Sequence, residues 1–178
     1  MGWGIALGGF MGSGKSTVGR ALAARLDWLY VDTDAVLSSR FGPCGLQIRQ
    51  EGEAVFRARE AAVLEELSAQ GGHAQVLATG GGAWVDPANR AALRRTHRLA
   101  VLHAPFEVLA ARVGGDPSRP LWDASVRARY ASRQAAYADA DLQVDATRPV
   151  QVIVEELASW WCESSTEPGP TGSSPPLV

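Results

Sequence analysis

Short apolar runs alternate along the chain with longer stretches whose apolar residues recur at helical spacing. Residues 4–8, GIALG, form an uninterrupted run of strand length, and 15–26 place Val18, Leu22 and Leu26 on one face of a helix. A second strand is predicted at 28–31, leading into Asp32, Thr33 and Asp34 and then a helix over 35–40. Gly42, Pro43 and Gly45 break the pattern. In 53–69, Phe56, Val63, Leu64 and Leu67 stand among charges, which predicts a long surface helix. Strands are predicted at 76–78, 99–102 and 142–144, and helices at 87–95, 105–113, about 123–137 and 150–161. Strands alternating with helices require a parallel sheet covered on both faces, with ligands collecting at the carboxyl ends of the strands.

Residues 163–178, ESSTEPGPTGSSPPLV, have no apolar period and are expected to be a disordered tail. The 178 residues otherwise suit one compact domain. With 17 Lys+Arg against 19 Asp+Glu the chain lacks the basic excess that nucleic-acid binding draws on. Two cysteines, Cys44 and Cys162, make neither a disulfide framework nor a metal cluster, and His73, His97 and His103 share no ligand spacing. No apolar run reaches membrane-spanning length, so a cytoplasmic protein without membrane contact is expected. Trp160 and Trp161 are expected to dock the last helix.

The 17 basic residues are 16 arginines and one lysine, Lys15. That lysine falls in residues 9–16, GFMGSGKS, which satisfy G-x-x-x-x-G-K-[ST] between a predicted strand and a predicted helix. Glycines let backbone N–H groups turn toward phosphate oxygens, and the helix that follows presents its positive end to the same anion. Lys15 is expected to reach the β- and γ-phosphates, and Ser16 to offer a hydroxyl to Mg²⁺. Reading guanine through N-K-x-D needs a second lysine, so a regulatory GTPase is excluded. The strands at 76–78 and 99–102 end without an acid, whereas 28–31 runs into Asp32 and Asp34, the candidates for metal and acceptor chemistry. A small-molecule kinase is the leading class.

From about residue 5 to 160 the chain resembles the shikimate kinase family. The matching segments are GFMGSGKST with Gly19, Asp32-Thr33-Asp34, GEAVFRARE at 52–60, Gly80-Gly81-Gly82, SRPL at 118–121, and Arg133 with Tyr137. The phosphate loop alone marks only a superfamily; the set in this order is specific. The resemblance implies an α/β fold, three-layer α/β/α with a central parallel sheet, of the P-loop NTPase, nucleoside monophosphate kinase-like type. Its domain is 1–162, with a lid at about 114–123. ATP and shikimate are the implied substrates, the 3-hydroxyl being phosphorylated in a step of chorismate and aromatic amino acid biosynthesis.

Residue by residue, the match assigns ATP to Gly12, Ser13, Gly14, Lys15, Ser16, Thr17, Arg112, Arg119 and Arg148. Shikimate is assigned to Asp34, Arg57, Gly80, Gly81, Gly82 and Arg133, and Mg²⁺ to Ser16 and Asp32. Lys15, Asp34 and Arg119 are the implied catalytic residues, Arg119 swinging onto the transferring phosphoryl group. The residue types suit such a ligand: arginine forks grip a carboxylate, and a carboxylate accepts from hydroxyls. If 32–34 is extended, Asp32 and Asp34 point to opposite sides. Cys44, between the DTD and GEAVFR segments, is expected near the acceptor. Ile48 stands where many members carry phenylalanine, and Ala135 where they carry proline. A monomer is expected. The alternatives are a P-loop kinase for another hydroxy acid such as gluconate, and a nucleotide-binding protein without turnover.

Overall fold

A computed structural model of the chain describes residues 4–69, 74–113 and 124–165. His73, the lid segment with Arg119, and residues 166–178 lie outside the described residues. The elements run β1 (Gly4–Gly8), α1 (Lys15–Leu26), β2 (Leu29–Asp32), α2 (Thr33–Phe41), α3 (Cys44–Glu51), α4 (Glu53–Ala69), β3 (Gln75–Ala78), α5 (Pro87–Arg94), β4 (His97–His103), α6 (Phe106–Val113), α7 (Val126–Ala138), β5 (Leu142–Asp145) and α8 (Val150–Ser165).

The strands pair in parallel in the order β2-β3-β1-β4-β5, with Ile5 level with Val76 on one side and Arg98 on the other. β1 and β3 are buried along their whole length, as a sheet covered on both faces demands; their sequences are apolar apart from Gln75 at the start of β3, which meets the His97 ring. α1 packs with α8, while α4 packs with α2, α3 and α5. Trp161 meets Trp28 edge-on at 4.8 Å, and the Arg98 guanidinium lies 4.3 Å over the Trp160 ring, so both tryptophans dock α8. The chain leaves β1 toward β2 and returns to both flanks of β1, which opens a crevice at the strands' carboxyl ends.

Several expectations need correction. α3 was not expected: Pro43 opens that helix instead of breaking the chain, its carbonyl accepting from the N–H groups of Leu46 and Gln47. Gly45, read as a breaker, lies in the helix's first turn. β4 starts at His97, two residues before the apolar run, because His97 finds polar company inside the protein. It is 2% exposed, with Nε2 3.1 Å from Gln75 Nε2 and Nδ1 2.9 Å from Thr96 Oγ1, and burial pushes its pKa down to about 4. α8 runs on to Ser165, past the boundary at 162 where the tail was expected to begin.

Candidate active site

The phosphate loop needs glycine at three positions for conformational reasons. Gly9 has φ 138°, Gly12 φ 83° and Gly14 φ 91°, a region that side chains with a Cβ resist. Gly14 is also the N-cap of α1 and offers no capping side chain, so an anion can take that place. Lys15 Nζ donates to the carbonyl oxygens of Gly9 at 2.8 Å and Phe10 at 3.1 Å, folding its side chain back over the loop. Ser13 is 2% exposed, and its Oγ has no hydrogen-bond partner among the described residues.

Asp32 ends β2 and caps α2, accepting at Oδ1 from the N–H groups of Asp34 (3.0 Å) and Ala35 (3.3 Å). Its Oδ2 accepts from Ser16 Oγ and from the Tyr30 hydroxyl, each at 3.1 Å. The expectation that strand alternation sends Asp32 and Asp34 to opposite sides fails, because the helix starts at Thr33. Both acids line one cleft of about 600 Å³, together with Gly12, Gly14, Lys15, Ser16, Thr17, Arg57, Gly80, Gly81, Gly82, Arg112 and Arg133.

Asp34 keeps much of its surface open to this cleft, yet enough protein surrounds its carboxylate that desolvation raises its pKa above the ordinary value. Lys15 and Arg57 oppose that rise and Asp32 adds to it, which sets Asp34 between the phosphate loop and the cations of the far wall. On that wall Arg57 donates through Nη1 to Glu60 (2.7 Å) and through Nη2 to Glu53 (3.0 Å). Burial alone lowers the Arg57 pKa, but the two carboxylates outweigh it and the net shift is upward. Glu60 is 1% exposed, and desolvation raises its carboxyl against the pull of Arg57.

Arg133, on α7, is 6% exposed and has no carboxylate partner among the described residues. It lies 5.3 Å over the Phe10 ring, and desolvation lowers its pKa. One turn on, the Tyr137 hydroxyl donates to the Gly81 carbonyl at 2.6 Å, and burial pushes that phenol up to about 12.

The three glycines after β3 have no positive φ. At Gly80 and Gly82 close approach takes the place of conformation. A Cβ on Gly80 would stand 2.6 Å from Glu60 Oε1 and 2.8 Å from Asp34 Oδ1, and one on Gly82 within 2.6 Å of both Arg57 Nη atoms. The charged groups of the cleft thus occupy the volume that side chains would take.

Arg112 closes the other end, donating to the Ala146 carbonyl at 2.8 Å. An adjoining hollow of about 180 Å³ is lined by Gly12, Ser13, Thr17, Arg112, Ala146, Arg148 and Val150. Arg148 therefore borders this hollow instead of the main cleft, and pairs with Glu156. Cys44 and Ile48 line the main cleft. Glu60 was missed as a site residue, since a lone glutamate in a charged helix looks solvated; its signal was the i, i+3 spacing from Arg57.

Residues 11–161 match the family model described as shikimate kinase. A shikimate kinase of Geobacter sulfurreducens is 40% identical over 88% of this chain and 89% of its own length, and one from Pseudomonas entomophila 42% identical over 86% and 92%. The solved shikimate kinase of Acinetobacter baumannii in complex with shikimate superposes with a TM-score of 0.86 at 30% identity, covering 94% of this chain and 97% of the other. A phosphate loop, paired acids at the end of β2 and an arginine-lined wall meeting in one cleft agree with those matches: the chain belongs to the shikimate kinase family.

Proposed function

We propose that the chain transfers the γ-phosphoryl group of ATP to the 3-hydroxyl of shikimate, giving shikimate 3-phosphate and ADP, a step toward chorismate and the aromatic amino acids. The observation that carries this reading is Arg133, a buried guanidinium lining the cleft without a carboxylate partner among the described residues. A buried cation without a counter-charge is costly, and an acceptor carboxylate in the cleft lowers that cost. The Acinetobacter relative, solved with shikimate, supports the identity of that acid.

On this reading the phosphates lie along Gly12 to Thr17, and Lys15 exchanges its two backbone carbonyls for phosphate oxygens. The acceptor carboxylate sits on Arg133 and Arg57. Asp34 accepts a hydrogen bond from the reacting hydroxyl, aligns its oxygen with phosphorus and takes its proton as the bond to the bridging oxygen breaks. Its raised pKa suits that duty, although positioning contributes more than basicity when the transition state is loose. Arg119, by resemblance, offsets charge on the transferring group, and Arg112 and Arg148 face the base.

Magnesium keeps most of its waters and takes few protein ligands. Ser16 Oγ beside Asp32 fits such an ion, and no cluster of three or more His, Cys, Asp or Glu suited to a more demanding metal occurs among the described residues. When bound, the ion neutralises charge on the β- and γ-phosphate oxygens. No helix among the described residues is long and apolar enough to cross a membrane. We take the enzyme to act in the cytoplasm as a monomer.

A coupled ADP-release assay across shikimate, gluconate and nucleoside acceptors tests the assignment. Turnover with shikimate alone is expected; turnover with gluconate and none with shikimate overturns it.

A further inference from the structure

Asp32 has spent its hydrogen-bonding capacity. A carboxylate offers about four acceptor sites. The N–H groups of Asp34 and Ala35 take Oδ1, while the Ser16 and Tyr30 hydroxyls take Oδ2. With both oxygens so engaged, Asp32 would act on a metal through Ser16. Because Ser16 gives its proton to Asp32, its oxygen lone pairs stay available to another partner.

What keeps Oδ2 in place for Ser16 is Tyr30. Its hydroxyl donates to the same oxygen at 3.1 Å. The ring itself is gripped by α1: a Cβ on Gly19 would stand 2.7 Å from Tyr30 Cε2, and the Arg20 guanidinium lies 5.2 Å from the ring centroid. Glycine at position 19 thus leaves the space that lets the ring lie flat on the helix bearing Ser16.

We infer that Tyr30 is a positioning residue for metal-bound nucleotide, its hydroxyl fixing the Asp32 carboxylate that in turn orients the Ser16 hydroxyl. The inference rests on the reading above that Ser16 and Asp32 form the metal side of the nucleotide site. Groups that orient a metal ligand from behind commonly change metal affinity by about 10- to 100-fold when removed. Tyr30 supplies one of four donors to Asp32, so the lower end, about tenfold, is expected.

The test is calorimetric titration of ADP into the full chain and its Tyr30→Phe variant, in excess Mg²⁺ and in EDTA. Phenylalanine keeps the ring on Gly19 and Arg20 and removes only the hydroxyl. In the wild type Mg²⁺ is expected to tighten ADP. In Tyr30→Phe that gain shrinks about tenfold, while metal-free ADP affinity and the KM for shikimate stay unchanged. An equal gain in both proteins, or equal weakening with and without metal, overturns the role of Tyr30 alone. No gain in the wild type overturns the placing of the metal at Ser16, and this inference with it.

Discussion

Gly80→Ala separates the architecture of the acceptor wall from that of the phosphate loop. The backbone tolerates alanine, since Gly80 has no positive φ. The space does not. The new methyl would lie 2.6 Å from Glu60 Oε1 and 2.8 Å from Asp34 Oδ1, against 3.4 Å for an ordinary contact, so the carboxylates must retreat by roughly 0.8 and 0.6 Å. Asp34 can swing into the cleft, but Glu60 is 1% exposed and bonded to Arg57 at 2.7 Å, so its shift carries the guanidinium along. A displacement approaching 1 Å of groups that orient the acceptor costs about 10²-fold in kcat/KM, or about 3 kcal/mol of transition-state stabilisation. Overpacking is expected to lower stability by about 1–3 kcal/mol. Steady-state kinetics with shikimate varied at saturating ATP, alongside calorimetric ADP affinity, reads the effect. Loss of kcat/KM for shikimate with ADP affinity retained is expected. Wild-type kcat/KM in a folded Gly80→Ala protein would refute the placement of the acceptor against Asp34 and Arg57.

Asp34→Asn is expected to lower kcat by at least about 10²-fold while ADP still binds, and wild-type kinetics would move the acceptor elsewhere. Cys44 lines the cleft, with its thiol pKa raised by burial, and Cys162 is exposed. Maleimide labelling of Cys44, followed by mass spectrometry, should therefore be slowed by shikimate while that of Cys162 is not; equal rates would place Cys44 outside the occupied site. His97 titrates at about 4 in the fold against 6.5 unfolded, so its contribution is complete above pH 6.5 and lost as pH falls toward 4. Urea unfolding should show about 2 kcal/mol less stability at pH 4.5 than at pH 7 from this group, and His97→Gln should remove that part of the slope.

The phosphate loop was legible because its physics is local: three glycines at positive φ, a lysine and a helix start lie within a few residues. The sheet was legible because buried parallel strands are written as apolar runs, as in β1 and β3. Where tertiary partners decide, the reading slipped. His97 joins β4 because Gln75 of β3 meets its ring across Gly4 of the intervening β1, and Pro43 looked like a stop until its carbonyl became the first acceptor of α3. Asp32 posed a choice between capping a helix and serving a nucleotide. Oδ1 caps α2 while Oδ2 turns to Ser16 and Tyr30, a division that no spacing rule separates.

The two acceptor arginines show the same limit in its most functional form. Sequence resemblance treats Arg57 and Arg133 as a matched clamp, but the fold gives them different electrostatic states. Arg57 is bracketed by Glu53 and Glu60, so its charge is largely met before any ligand arrives. Arg133 is more deeply buried, meets an aromatic face and a phenol, and has no acid of its own among the described residues. On the proposed reading, an incoming carboxylate would gain most from Arg133, where it relieves a desolvated cation, and would gain orientation from Arg57, whose fork the two glutamates already hold in place.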